Sequence, residues 1–306
     1  MLTVTITNPT QTGYLRVYPC GTSPGDSQTS TVNYNGGQTI SNVTIVNIPT
    51  DGSVCFWSLR TTDMIVDLNG YFDATGLGYT PITPQRVLDT RSGSPLGAMQ
   101  QAVFNFGGEP AGTEAAMMNL TVTNPQAAGF LRAYPCGAED GTANINYDQS
   151  QTIANFAAVS TPGGTMCFRS FAQTDLISDI AGFYTDSGGL SLTTVDPTRL
   201  FDTRSTTGFT RLQAGKESRI LMGLPNNAAA GVFNITVADP SADGYIQVYP
   251  CGTNPTTSSV NYVAHQTAAA NLTVVQIPTS GAFAGQACFK SFADTDLILD
   301  VSGWFS

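Results

Sequence analysis

Tyr14-Leu15-Arg16-Val17-Tyr18-Pro19-Cys20-Gly21 reads as a strand that runs into a turn, and the chain writes it three times. It returns as Phe130-Leu131-Arg132-Ala133-Tyr134-Pro135-Cys136-Gly137 and as Tyr245-Ile246-Gln247-Val248-Tyr249-Pro250-Cys251-Gly252. Downstream of each anchor come Asn-Tyr (33–34, 146–147, 261–262), Gln-Thr (38–39, 151–152, 266–267), a second cysteine, Thr-Asp and a closing Asp-x-x-Gly-aromatic. The anchor cysteines lie 116 and 115 residues apart. That period is too long for a solenoid repeat and suits a small domain.

Apolar and polar residues alternate within each anchor, which separates the two faces of a strand. Leu15 and Val17 point to one side; Tyr14, Arg16, Tyr18 and Cys20 point to the other. Phe130, Arg132, Tyr134 and Cys136 repeat the second set, as do Tyr245, Gln247, Tyr249 and Cys251. Around the second cysteines, Trp57, Arg169 and Lys290 share parity with Cys55, Cys167 and Cys288, while Phe56, Phe168 and Phe289 face a core. The twelve outward aromatic, basic and amide residues are candidate ligand contacts, since rings flanked by hydrogen-bonding groups suit sugars. The competing and favoured reading is that the rings pack against a neighbouring copy or beneath a loop.

Short runs of this kind fill the chain, bounded by Gly, Pro, Asn and Asp, and helical periodicity is scarce. The expected fold is all-β with almost no helix: three tandem small antiparallel β-sandwich or barrel modules in a compact or rod-like array. Their boundaries fall at residues 1–72, 81–184 and 194–306. Pairing Cys20 with Cys55, Cys136 with Cys167 and Cys251 with Cys288 gives each module one disulfide, the simplest arrangement. Each closed loop contributes roughly 3–4 kcal/mol in the chain-entropy model. An oxidising, extracellular compartment follows as the expectation.

Only 11% of residues are charged, and the net charge is −10 with two lysines, Lys216 and Lys290. Nucleic acid and anionic membrane surfaces demand basic patches, so neither is an expected partner. No segment is apolar for long enough to span a bilayer as a helix. The chain opens inside a repeat, at Leu2-Thr3-Val4-Thr5-Ile6, without a signal peptide, and an upstream portion is expected.

Copies 2 and 3 begin with an element that copy 1 lacks: Arg86-Val87-Leu88-Asp89-Thr90-Arg91 and Arg199-Leu200-Phe201-Asp202-Thr203-Arg204. Copy 1 should therefore carry an unpaired sheet edge unless other sequence covers it. Arg86, Asp89, Arg91, Arg199, Asp202 and Arg204 form the candidate structural latch, with Asp67, Asp179 and Asp300 as carboxylate partners; arginine's planar fork suits that task. A clamp for an anionic ligand is the alternative.

Taken together, Tyr-Pro-Cys-Gly, Thr-Asp-x-x-x-Asp-x-x-Gly-aromatic and Arg-x-x-Asp-Thr-Arg resemble modules of secreted actinobacterial surface proteins. That resemblance spans nearly the whole chain apart from the element missing in copy 1. It implies an extracellular accessory or surface role without an inherited active site.

Repeated aspartates (Asp63/Asp67, Asp175/Asp179, Asp296/Asp300, with Asp294) lack the loop spacing of a calcium site. Strand-end hydrogen bonding is the preferred reading, and no metal or cofactor is expected. Gly21-Thr22-Ser23-Pro24-Gly25 matches a nucleophile elbow literally, but no helix follows it and the other copies lack the serine. His265 stands where the other copies have Gly37 and Ser150, so it belongs to no repeated site. The residues point away from an enzyme. They favour a non-catalytic extracellular surface or adhesion module, holding cell-envelope polysaccharide or other glycans through repeated weak sites. The alternative is a structural subunit of a filament or surface layer, whose partners are copies of itself joined at an open sheet edge.

Overall fold

A computed structural model of the 306-residue chain describes residues 1–21, 29–139 and 141–306. Copy 1 contributes β1 (Leu2–Thr7), β2 (Gly13–Pro19), β3 (Val32–Tyr34), β4 (Ile40–Thr44), β5 (Val54–Ser58) and β6 (Asp63–Leu68). Copy 2 contributes β7 (Gly78–Asp89), β8 (Gln101–Asn105), β9 (Thr113–Thr123), β10 (Gly129–Tyr134), β11 (Ile145–Tyr147), β12 (Ile153–Ser160), β13 (Thr165–Ser170) and β14 (Asp175–Thr185). Copy 3 contributes β15 (Leu192–Asp202), β16 (Glu217–Leu221), β17 (Ala230–Ala238), β18 (Gly244–Pro250), β19 (Val260–Tyr262), β20 (Ala269–Gln276), β21 (Gln286–Ser291) and β22 (Asp296–Phe305). Helix among the described residues is limited to two 3₁₀ turns, Thr90–Ser92 and Pro162–Gly164.

These strands form six small antiparallel sheets, two per copy. Inner sheets run β4-β1-β6, β12-β9-β14-β7 and β15-β22-β17-β20; outer sheets run β3-β2-β5, β11-β10-β13-β8 and β16-β21-β18-β19. The expectation of three tandem sandwich or barrel modules is corrected here. The sheets are grouped as a six-bladed, propeller-like body around a shared core. The physical reason lies in the inner strands. β4 is buried at every residue and β9, β12, β17 and β20 at nearly every one, on both faces. One face lines the core of its own copy. The other joins a central cluster drawn from all copies, including Met1 and Val43, Met117 and Phe156, and Val232 and Leu272. A free-standing module would leave that second face in water, at roughly 25 cal/mol per Å² of apolar surface.

Two seams between copies use the same four hydrogen bonds. Between copies 3 and 2, Asn271 Nδ2 donates to Asn119 Oδ1 (2.7 Å), Phe156 N to Asn271 Oδ1 (3.0 Å), Asn119 Nδ2 to Ser258 O (2.6 Å) and Ser258 N to Asp179 Oδ2 (3.1 Å). Between copies 1 and 3 the equivalents are Asn42 to Asn234 (2.9 Å), Leu272 N to Asn42 (3.1 Å), Asn234 to Ser30 O (2.5 Å) and Ser30 N to Asp300 (3.4 Å). At the third seam Thr3 replaces the strand asparagine, and Asn146 Nδ2 donates to Ser41 Oγ (2.7 Å).

The repeated signature residues hold each copy together. Tyr34, Tyr147 and Tyr262 share a 2.6 Å hydrogen bond with Ser58, Ser170 and Ser291. Each hydroxyl also accepts a backbone N–H, from Arg60, Ala172 or Ala293. Thr62, Thr174 and Thr295 donate to the carbonyls of Thr7, Thr123 and Ala238.

Candidate functional site

All three disulfides close within a copy: Cys20–Cys55, Cys136–Cys167 and Cys251–Cys288. They tie β2 to β5 and span the equivalent positions in copies 2 and 3. Alternation places Leu15 and Val17 in the core of copy 1 and the remaining anchor side chains on the outer sheet.

That outer face is not equivalent in the three copies. In copy 2, β8 lies beside β13, Tyr134 is buried, and its hydroxyl donates to Gln101 Oε1 at 3.2 Å. Arg132 stacks over Phe130 at 4.5 Å, and both Arg132 and Arg169 pair with Glu139. In copy 3, β16 lies beside β21, and buried Tyr249 donates to Glu217 at 3.0 Å. Burial pushes the Tyr249 phenol up to about 12. Gln247 is buried and donates to Pro255 O, while Tyr245 stacks on Phe292. Lys290 is half-buried on β21 opposite Glu217 and Gln247. Copy 1 has no strand corresponding to β8 or β16 among the described residues, so Tyr14, Arg16, Tyr18 and Trp57 stay half-exposed. The Arg16 guanidinium lies 5.2 Å from the Tyr14 ring and 5.1 Å from Trp57.

Tyr14 and Arg16 border a cleft of about 530 Å³ between copies 1 and 3, whose far wall carries Arg199, Asp202 and Arg204. The arginines of that wall are engaged. Arg199 binds both oxygens of Asp300 (2.5 and 3.3 Å) and reaches Asp202 at 3.4 Å, while Arg204 clasps Asp202 at 2.7 and 2.9 Å. Copy 2 repeats this set with Arg86 on Asp179 (2.8 and 3.2 Å), Arg86 on Asp89 (3.4 Å) and Arg91 on Asp89 (2.6 and 2.8 Å). Each arginine pairs inside its own copy, and Asp179 and Asp300 then accept the seam N–H groups of Ser258 and Ser30. Hydrogen bonds from Arg91 and Arg204 hold the Asp89 and Asp202 carboxyls below the ordinary carboxylate range. Burial holds Asp300 above it.

The remaining aspartates serve strand ends. Asp175 accepts from Thr90 and Asn124, Asp296 from Thr203 and Arg211, and Asp63 from Asn8. Among the described residues no cluster of His, Cys, Asp and Glu is arranged to hold a metal ion. His265, Ser150 and Gly37 all sit at positive φ (56°, 62° and 74°), so the repeat asks that position for a backbone conformation. The His265 side chain is 78% exposed and lies 3.5 Å from Asp239. Thr22 to Gly25 of the literal Gly-x-Ser-x-Gly match lie outside the described residues. No described helix is long and apolar enough to cross a membrane.

Sequence reading did not find the feature that most distinguishes copy 1, an apolar edge. Met64 and Leu68 on β6 are 39% and 70% exposed, whereas their counterparts Leu176 and Ile180 are 0% and 1%, and Leu297 and Val301 are 0% and 5%. Ile65, Val66 and Tyr71 are exposed beside them. β7 and β15 cover these positions in the other copies. The available signal was the count of strands before each anchor: copies 2 and 3 have two that copy 1 lacks.

No family model matches the chain, and no curated protein matches it. Solved structures with partial likeness include a Sulfolobus turreted icosahedral virus structure (TM-score 0.20, 10% identity, covering 99% of this chain and 79% of that one). GK1651 from Geobacillus kaustophilus (TM-score 0.20, 8% identity, 74% and 97% covered) and the major capsid protein P2 of bacteriophage PM2 (TM-score 0.20, 10% identity, 74% and 98%) are others. TM-scores this low do not establish a common fold, and no functional argument rests on them.

Proposed function

We propose that the chain is a non-catalytic structural module of an extracellular assembly, joined to its neighbours by strand addition at the open edge of copy 1. The observation that carries this reading is the contrast along β6. Side chains that are core in copies 2 and 3 face water in copy 1, next to unpaired backbone groups of β5 and β6. Soluble proteins rarely present a long apolar edge without charge, proline or a cover to blunt it, because it templates pairing with another chain. Three intramolecular disulfides suit an oxidising compartment. The repeated signature residues are committed to holding the fold, which supports a scaffold over a catalyst.

Sedimentation velocity across a wide concentration range tests the joint. Wild type is expected to associate as concentration rises, and an Ile65→Lys/Leu68→Lys variant to remain monomeric. A wild type that stays monomeric throughout, indistinguishable from the variant, overturns the reading.

A second reading, glycan attachment, is favoured by one observation: Tyr14, Arg16 and Trp57 form a half-exposed aromatic and basic cluster beside the cleft. It applies to copy 1 alone, since Tyr134, Tyr249 and Gln247 are buried. A glycan array probed with wild type and Trp57→Ala checks it; equal signals remove it.

A further inference from the structure

The groups that receive the covering strand in copies 2 and 3 are present in copy 1, where no described strand lies over them. In copy 2, β7 is fastened to β14 at three places. Arg86 forks onto Asp179, Thr90 donates to Asp175 (3.0 Å), and the same threonine hydroxyl accepts Leu176 N–H (2.9 Å). In copy 3, Arg199 forks onto Asp300, Thr203 donates to Asp296 (2.8 Å), and its hydroxyl accepts Leu297 N–H (3.0 Å). β6 carries Asp63, Met64 and Asp67 at the corresponding positions.

The glycine of Asp-x-x-Gly-aromatic adds an independent observation. A Cβ on Gly182 would stand 2.4 Å from the Tyr79 hydroxyl and 2.6 Å from Thr80 O, and one on Gly303 would stand 2.6 Å from Thr193 O. The absence of a side chain is required there because β7 and β15 cross at close range. Gly70 fills the same position in copy 1 and has nothing within 4 Å of its Cβ direction. Copy 1 thus keeps two carboxylates and a side-chain-free crossing point that its own strands do not need.

Resting on the reading of this edge as a joint, we propose that its occupant is an antiparallel strand with an Arg-x-x-Asp-Thr-Arg signature, supplied by another polypeptide chain. The arginine forks onto Asp67 and the threonine bridges Asp63 and Met64 N–H, in the register of the two internal examples. A short strand follows onto β5 and brings an acceptor side chain to the Tyr18 hydroxyl, as Gln101 and Glu217 do for Tyr134 and Tyr249. Opposite charge across the pair and the apolar row from Met64 to Leu68 favour this occupant. A second copy in its native form has no such strand to lend, because both of its own are seated on β14 and β22.

The test uses the full chain and a fluorescent peptide with the sequence of residues 78–105, read by anisotropy and by hydrogen exchange of β6 amides. Saturable one-to-one binding is expected, with slowed exchange in β6 and unchanged exchange in β14. Gly70→Ala should weaken binding at least tenfold while leaving the melting temperature in place. Asp67→Asn in the chain and Arg86→Gln in the peptide should each weaken it, and together no further. Binding that ignores Gly70→Ala and Asp67→Asn, or leaves β6 unprotected, overturns the proposal. Failure of the peptide to bind a chain that still self-associates through Ile65 and Leu68 removes this partner and keeps the joint. Failure of both removes both.

Discussion

Gly182 has no side chain because Tyr79, on a strand from the far end of the copy, passes over it. Gly182→Ala should therefore cost about 2–3 kcal/mol by forced overpacking, whereas Gly70→Ala should change stability by less than about 0.5 kcal/mol; urea denaturation of both variants checks the pair. Sequence reading recognised this glycine only as a mark of the repeat. Its physical reason lies on another strand, which no local pattern reports. The Arg-x-x-Asp-Thr-Arg element was legible further, since arginines in a charge-poor chain imply paired carboxylates, and Asp179 and Asp300 are those pairs. Acid should loosen the element. Asp89 and Asp202 titrate below the unfolded carboxylate range, so their contribution is complete above that range and is lost as pH falls through their folded values. Asp300 acts with the opposite sign, because burial disfavours its ionised form. Thermal melts from neutral pH down to about pH 3 should show a falling midpoint. The Asp89→Asn/Asp202→Asn variant should start lower and fall less, and parallel curves for the two proteins would refute the assignment.

Alternation along short runs located the strands and told core from outer face, because each anchor strand has one apolar side. It could not show that β4, β9, β12, β17 and β20 are buried on both sides, since threonine, alanine and asparagine occupy the second face without an apolar pattern. That blindness produced the expectation of tandem sandwiches. The candidate ligand residues were placed on the correct face for the same reason, and for the same reason their covering by β8 and β16 was not foreseen. Covering has a chemical consequence at the disulfides. β8 pairs along Cys167 and β16 along Cys288, leaving both cysteines with no exposure, while Cys55 on β5 is half-buried. Thiol–disulfide exchange requires a thiolate to reach sulfur. Limited reductant under native conditions should open Cys20–Cys55 ahead of the other two bonds, as mapped by alkylation and mass spectrometry. Equal rates for the three bonds would contradict the covering.

At the scale of the molecule, the three copies are fused through one apolar cluster and two matching sets of seam hydrogen bonds. Asn42 and Asn271 are buried, and each spans two copies with its amide while fastening a loop of its own copy. Opening one copy would strip these amides of partners and hydrate the central faces of the other two. A buried amide left without a partner costs about 1–3 kcal/mol, and the exposed central face adds its transfer cost. Modules linked only as beads would melt independently, and copy 1, with fewer strands and an open edge, would melt first. The shared core requires the opposite: one calorimetric transition, with van't Hoff and calorimetric enthalpies in agreement. Asn271→Ala should lower that single midpoint by about 1–3 kcal/mol of stability without splitting it. A separate low-temperature transition confined to β1–β6 in hydrogen exchange would show that the central cluster does not couple the copies, and that copy 1 opens on its own.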